Sequence, residues 1–144
     1  MRNETTLSDS DAQMAIAAVR DQLRAEGKAA VIAVADAHGE LLALLRLDGA
    51  ARAPIQIAMN KAFTAARERR PTVEIGQKVR HPERGFDIAY YGDPRYVGWG
   101  GGVPVVHDGQ VIGAVAVSGL PEEEDMRFAA HGVAAINKAL NVRT

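Results

Sequence analysis

The chain has 144 residues, 47% apolar and 24% charged, which is enough to bury the core of one domain without metals or disulfides. It contains no cysteine, and this excludes disulfides, thiolate metal sites, iron–sulfur clusters and a cysteine nucleophile. The net charge of −1 comes from interspersed acidic and basic residues, and no apolar run approaches the roughly 18 residues that cross a bilayer. We therefore expect a single cytoplasmic domain over residues 1–144, with no nucleic-acid or membrane partner.

The first third of the chain predicts a helix followed by a β-hairpin. A capping box at residues 8–11 opens an amphipathic helix over about 9–26. Two apolar runs, about 30–36 and 40–47, then flank a short turn in which Gly39 can supply a positive φ. This pattern is typical of two paired antiparallel strands.

The middle of the chain predicts a well-defined helix and then a long irregular segment. Pro54 suits the first turn of a helix whose apolar residues recur at i, i+3 and i+4 spacing until Pro71 ends it. A short helix follows over about 72–79. Residues 80–102 show little periodicity, and so long an irregular segment in a small domain is usually functional or interfacial.

The last third predicts a second hairpin and a final helix. Strands at about 103–106 and 110–118 flank Asp108 and Gly109, a dipeptide preferred in type I′ turns. Pro121 begins a helix with an acidic first turn, which complements the positive end of the helix dipole. Hairpins joined by helices favour an α+β fold in which helices cover an antiparallel sheet.

The glycine-rich stretch RYVGWGGGVPV at 95–105 does not match a nucleotide-binding loop. It lacks the Gly-Lys-Ser/Thr of a phosphate loop, and it leads into a strand rather than the helix that a dinucleotide fingerprint needs. Two interpretations stay open. Successive glycine amides could form a concavity that accepts a carboxylate, or the glycines could mark a crowded start of a strand where no side chain fits.

Four segments resemble the GlcG/HbpS-like family, also called the haem-degrading domain family. The segments are VADAHGELLALLRLDGA at 34–50, NKAFTAARERRPT at 60–72, GGVPVVHDGQVIGAVAVSGL at 101–120 and PEEEDMRFAAHG at 121–132. The resemblance implies a profilin-like antiparallel sheet of about five strands flanked by helices. It also implies self-association into dimers, tetramers or octamers.

The resemblance leaves the chemistry of the family open, because its members differ in function. Some relatives bind haem and are linked to its degradation or to redox sensing. Others are fused to cobalamin-related enzymes, and still others accompany catabolic genes for small organic acids. Haem is therefore the one cofactor that the resemblance suggests.

Arg46 is the most informative charged residue of the first hairpin. Strict alternation places it on the same strand face as Leu42 and Leu44, so we expect its guanidinium to need a partner beside apolar neighbours. The partner could be Asp48 or Asp36 in a structural ion pair. It could also be a substrate carboxylate or a haem propionate held in bidentate fashion.

Lys61 and Thr64 lie three residues apart on the second predicted helix and could line one wall of a pocket. Lys61 has three alternatives, as a surface lysine, an ion-pair partner or a charge at a pocket rim. Tyr96 and Trp99 of the glycine-rich loop would add flat apolar walls. The expected ligand-binding residues are Arg46, Asp48, Lys61, Thr64, Tyr96, Trp99, Gly101, Gly102 and Ser118.

Several other site types find no support in the sequence. The four histidines show neither His-x-x-x-His nor Glu-x-x-His spacing, so no metal site is expected; they are His38, His81, His107 and His131. Each is only a candidate haem ligand, as are the tyrosines. Ser118 lacks the Gly-x-Ser-x-Gly context of a hydrolase nucleophile, and no catalytic residue is assigned.

The favoured hypothesis is an oligomeric protein that binds a small anionic or haem-like ligand. Its pocket would lie between the sheet, the second helix and the glycine-rich loop. The alternative is a lyase-type or isomerase-type enzyme that performs acid–base chemistry on a small organic or aromatic carboxylic acid in a catabolic pathway. The two hypotheses differ in whether a proton donor lies within reach of the bound ligand.

Overall fold

Over residues 1–143, the computed structural model has four α-helices and four β-strands. The elements in chain order are α1 (Asp9–Ala25), β1 (Val31–Asp36), β2 (Leu41–Arg46), α2 (Ala53–Glu68), α3 (Thr72–Val79), β3 (Gly102–His107), β4 (Gln110–Ser118) and α4 (Glu122–Arg143). Each lies close to its sequence prediction. None of these helices is both long and apolar enough to span a bilayer.

The strands form one antiparallel sheet in the order β2-β1-β4-β3. This confirms the α+β class, but the expected number of about five strands is wrong, because this sheet has four. The long segment before β3 adds no strand to the free edge of β3. It contains instead a 3₁₀ turn at Ile88–Tyr91, in keeping with its lack of alternating apolar residues.

Local turn and cap chemistry explains why the predicted elements begin and end where they do. The Ser8 hydroxyl accepts the amide of Asp11, and the Asp11 carboxylate accepts the amide of Ser8, which completes the predicted capping box. Gly39 has φ 88° in the first hairpin turn. Asp108 and Gly109 have φ 50° and 74°, as a type I′ turn requires.

The helices cover the two faces of the sheet unequally. Helices α1 and α4 pack together on one face, over a cluster that includes Ile32, Val34 and Val115. Helix α2 covers the other face, where mostly alanines meet it. Small side chains on both surfaces let α2 lie close to β1 and β4, so polar groups of α2 come within reach of the strand ends.

A register shift in the first hairpin changes which residues share a face. Val34 pairs with Ala43 and Ala35 pairs with Leu41, so Leu42 is an extra residue in β2. Leu44 packs on the α2 side of the sheet and Leu42 on the α1 and α4 side. Arg46 therefore shares a face with Leu44 but not with Leu42, and the expected strict alternation is wrong at this point.

Helix α3 holds the glycine-rich loop against the sheet through close backbone contact. The amide of Gly102 donates to the Thr72 hydroxyl at 2.9 Å. Gly76 lies so close to Gly98 that a Cβ on Gly76 would collide with the Gly98 carbonyl oxygen. Glycine at these positions therefore lets α3 and the glycine-rich loop approach until their backbones are in contact.

Candidate functional site

A cavity of about 400 Å³ opens where α2, the end of β4, the start of α4 and the glycine-rich loop meet. This volume lies within the range of about 300–1,000 Å³ that is usual for small-molecule sites. The lining residues are Ala53, Pro54, Ile57, Lys61, Trp99, Gly100, Ser118, Gly119, Leu120, Glu122 and Asp125. The wall is mainly apolar, and its polar side chains are those of Lys61, Ser118, Glu122 and Asp125.

Lys61 provides the central polar group of this cavity. Its side chain is 3% exposed, and its Nζ donates to the Val117 carbonyl oxygen at 3.1 Å and to Asp125 Oδ2 at 3.0 Å. Asp125 is 4% exposed, and its Oδ1 accepts the amide of Leu120 at 3.1 Å. One ammonium therefore joins α2, β4 and α4. Of the three alternatives for Lys61, the ion-pair partner is confirmed.

Two groups on the cavity wall have hydrogen-bonding capacity that the described residues do not use. An ammonium has three N–H donors, and residues 1–143 supply acceptors for two of those of Lys61. The Ser118 hydroxyl has no hydrogen bond within the same part of the chain, although Ser118 is almost fully buried. Both groups can therefore serve a bound acceptor such as a carboxylate oxygen.

Burial raises the pKa of the Asp125 carboxyl above its ordinary value, and the nearby Lys61 ammonium only partly opposes this effect. The cost of placing a carboxylate out of water is the larger of the two influences. Asp125 therefore takes up a proton at a higher pH than a surface aspartate. Once it does so, the positive charge of Lys61 is no longer neutralised by its partner.

The glycine-rich loop forms one wall of the cavity, and the amides of two of its glycines are bonded to protein side chains. Gly100 donates its amide to Glu122 Oε1 at 2.9 Å, and Gly102 donates to Thr72. A Cβ on Gly101 would come within 2.6 Å of the Val117 carbonyl oxygen and 2.7 Å of Lys61 Nζ. Of the two interpretations of these glycines, the crowded start of a strand is the one that the structure supports.

The expected site residues separate into three groups. Lys61, Trp99 and Ser118 line the cavity, and Trp99 is 58% exposed at its mouth. Gly101 and Gly102 lie directly behind the wall, in contact with Lys61. The remaining four lie outside the lining; they are Arg46, Asp48, Thr64 and Tyr96.

Thr64 and Tyr96 hold the glycine-rich loop on α2. The Thr64 hydroxyl accepts the amide of Val97 at 3.1 Å and donates to the Arg95 carbonyl oxygen at 3.3 Å. The Tyr96 ring stacks on Tyr91 with 4.4 Å between centroids, and its hydroxyl donates to Glu68 Oε2 at 3.2 Å. These contacts fix the backbone that leads to Trp99.

Arg46 is exposed and pairs with no carboxylate of residues 1–143, so neither expected ion pair forms. Asp36 instead accepts the amides of the hairpin turn. In the sheet, Arg46 pairs with Val31, and Val31 pairs with Ser118. Arg46 thus lies on the same face as the cavity but two strands from Ser118, or about 10 Å.

Sequence reasoning did not assign Glu122 and Asp125 to the site. Both belong to the acidic first turn of α4, which helix-dipole complementarity already explains. The signal that could have found Asp125 was Lys61, because a lysine between core positions of a helix needs an acidic partner. Nothing local in the sequence identifies which carboxylate that is.

The histidines take no part in this cavity. The His38 Nε2 lies 2.8 Å from Glu4 Oε2, and the His107 Nε2 lies 3.5 Å from Asp108 Oδ2. The His81 ring accepts the amides of Glu83 and Arg84 in an exposed turn. Among the described residues, no three His, Cys, Asp or Glu side chains cluster closely enough to hold a metal ion.

Comparison with known sequences gives a consistent family match. A family model described as haem degrading protein HbpS-like matches residues 7–134. Protein GlcG of Escherichia coli strain K12 is 41% identical over 118 residues, which cover 82% of this chain and 85% of GlcG. The family resemblance of the four sequence segments is confirmed.

Solved structures show the same fold. The crystal structure of the Klebsiella pneumoniae protein ORFY has a TM-score of 0.90 at 31% identity and covers 95% of this chain and 94% of its own. A crystal structure of PduOC in complex with haem has a TM-score of 0.85 at 28% identity, with coverages of 92% and 96%. Haem is thus a ligand of one structural neighbour.

Replacing Lys61 with Met is expected to lower the free energy of unfolding by about 3–5 kcal/mol at neutral pH, because Asp125 is left buried without its counter-charge. Lys61→Met/Asp125→Asn is expected to regain most of that loss, since the buried charge is removed. Urea denaturation measures both. Lys138→Met, on the exposed side of α4, is the matched control. A Lys61→Met protein as stable as this control would contradict the pairing.

Proposed function

The chain belongs to the HbpS-like family, and we propose that it binds a small anionic ligand, held through a carboxylate, in the cavity beside Lys61. One observation carries the proposal. Lys61 and Ser118 both line this mainly apolar cavity with hydrogen-bonding capacity that the described residues do not satisfy. A carboxylate supplies acceptors for both groups, and the apolar wall suits a short carbon chain.

The charges around the cavity couple anion binding to proton uptake. Lys61 and Asp125 neutralise each other, and the Glu122 carboxylate at the loop adds a further negative charge. The affinity for an anion is therefore lower while Asp125 is ionised than after Asp125 takes up a proton. Protonation of Asp125 removes one negative charge and leaves the Lys61 ammonium to the ligand.

Binding is favoured over acid–base catalysis because the two buried titratable groups of the cavity, Lys61 and Asp125, are bonded to each other. Lys61 and Asp125 bond to each other, and Glu122 accepts the amide of Gly100. General acid–base catalysis needs a group with a free proton or lone pair in contact with the reacting atom. Among the groups left for a ligand, the Ser118 hydroxyl and one N–H of Lys61 are donors suited to holding a carboxylate.

Haem fits this cavity poorly. Haem iron is held in proteins by His, Cys, Met or Tyr side chains. The cavity lining contains none of these, and the histidines lie elsewhere. We expect a hemin titration to give no Soret change that Ser118→Ala or Trp99→Phe alters. A saturable Soret shift abolished by either substitution would place haem in this cavity. It would contradict the expectation that a lining without an iron-binding side chain does not hold haem.

Self-association is proposed from family membership, and the free edge of β2 is a surface consistent with it. This strand is apolar apart from Arg46, and its leucines are only partly covered, with Leu41 48% exposed. Edge strands of this kind pair readily with another chain. Dimers, tetramers and octamers remain the candidate states.

Trp99 is the only tryptophan and lines the cavity, so its fluorescence reports ligand binding directly. We expect butyrate to give a saturable signal and the neutral butyramide to bind at least tenfold more weakly. Ser118→Ala should weaken butyrate binding by about tenfold, since it removes one hydrogen bond to a charged group. Ser10→Ala, on the exposed face of α1, should leave affinity unchanged. Equal affinities for butyrate and butyramide would contradict carboxylate recognition.

The affinity for an anion should rise as the pH falls through the raised pKa of Asp125, because protonation leaves the positive charge of Lys61 unopposed. Methanesulfonate is the probe, since it stays ionised throughout this range. Asp125→Asn, which cannot ionise, should bind it with an affinity that changes little with pH. If the wild-type protein showed the same flat profile, proton uptake by Asp125 would not be coupled to binding.

A further inference from the structure

The irregular segment between α3 and β3 forms a second cavity that the proposed carboxylate site does not use. It measures about 250 Å³, and its wall is formed by Val79, Arg80, Phe86, Ile88, Val97 and Trp99, with Gly98 at its base. Five of these side chains are apolar and one is cationic. Within the described part of the chain, Trp99 is the one residue that lines both cavities.

Backbone contacts hold the walls of this second cavity in place. The amide of Phe86 donates to the Val79 carbonyl oxygen at 3.0 Å, which folds the segment back on the end of α3. On the other side, Gly98 rests against Gly76 of α3 at backbone contact. The cavity is therefore formed before any ligand arrives, and a ligand does not have to order its walls.

Arg80 is the polar group of the second cavity, and no carboxylate of the described residues neutralises its charge. The side chain is exposed, and its one hydrogen bond within residues 1–143 is a long one, from Nη1 to the Gly98 carbonyl oxygen at 3.4 Å. It forms no ion pair in that part of the chain. A guanidinium presents parallel N–H groups that match the two oxygens of a carboxylate.

We propose that the second cavity binds an aromatic carboxylate, with the ring between the apolar walls and the carboxylate paired with Arg80. An apolar cavity of about 150 Å³ accepts benzene, so 250 Å³ admits one substituted ring. The rings of Phe86 and Trp99 offer faces and edges for aromatic contact. A phosphate or a short aliphatic acid would leave these apolar walls uncovered.

Benzoate and the neutral benzamide, followed through Trp99 fluorescence, test this assignment. The wild-type protein should bind benzoate saturably and benzamide at least tenfold more weakly. Arg80→Gln should weaken benzoate binding about tenfold or more and leave benzamide unchanged. Arg84→Gln is the matched control, because it removes an exposed arginine of the same segment that does not line the cavity.

The same titrations keep the two sites distinguishable. Ser118→Ala should weaken butyrate binding and leave the affinity for benzoate unchanged. Either proposal can therefore be contradicted while the other stands. The second-cavity proposal is overturned if benzoate does not bind, if it binds no better than benzamide, or if Arg80→Gln leaves its affinity unchanged. It is also overturned if Ser118→Ala abolishes benzoate binding, because benzoate would then occupy the first cavity. A further contradicting result is a change of oligomeric mass in Phe86→Ala while benzoate fails to bind, because a second copy of the chain would then cover the second cavity.

Discussion

The buried ammonium of Lys61 is the interaction on which the site depends. It bonds to the end of β4 and to the first turns of α4, so it fixes how α2, the sheet and α4 meet. An unpaired charge at this depth would be strongly destabilising, which is why its geometry is tightly specified. The cavity lies beside this pair, at the junction of the same three elements.

Small residues allow the pair to form. The alanines between α2 and the sheet let the helix approach closely, and Gly101 leaves the space that Lys61 Nζ occupies. The glycine-rich loop thus contributes to the site through the absence of a Cβ atom at Gly101, which leaves room for the Lys61 ammonium. Thr64 and Thr72 anchor the loop at both ends, so that Trp99 is held at the mouth of one cavity and on the wall of the other.

The elements were predictable because their determinants are local. Capping at Ser8, the Asp108–Gly109 turn and the apolar spacing of α2 each act within a few residues. The site was less predictable, because Lys61 and Asp125 are 64 residues apart and only the folded chain joins them. A one-residue bulge in β2 places Leu42 on the opposite face of the sheet from Arg46. Simple alternation along a strand does not predict such an insertion.

Hydrogen exchange of the Lys61 side-chain ammonium, observed by nitrogen-edited NMR and assigned with Lys61→Arg, tests the central claim most directly. The account predicts one lysine ammonium signal that exchanges slowly with water and moves when butyrate is added. Rapid exchange of every lysine ammonium, as on a solvated surface, would contradict the buried pair and the ligand site built on it.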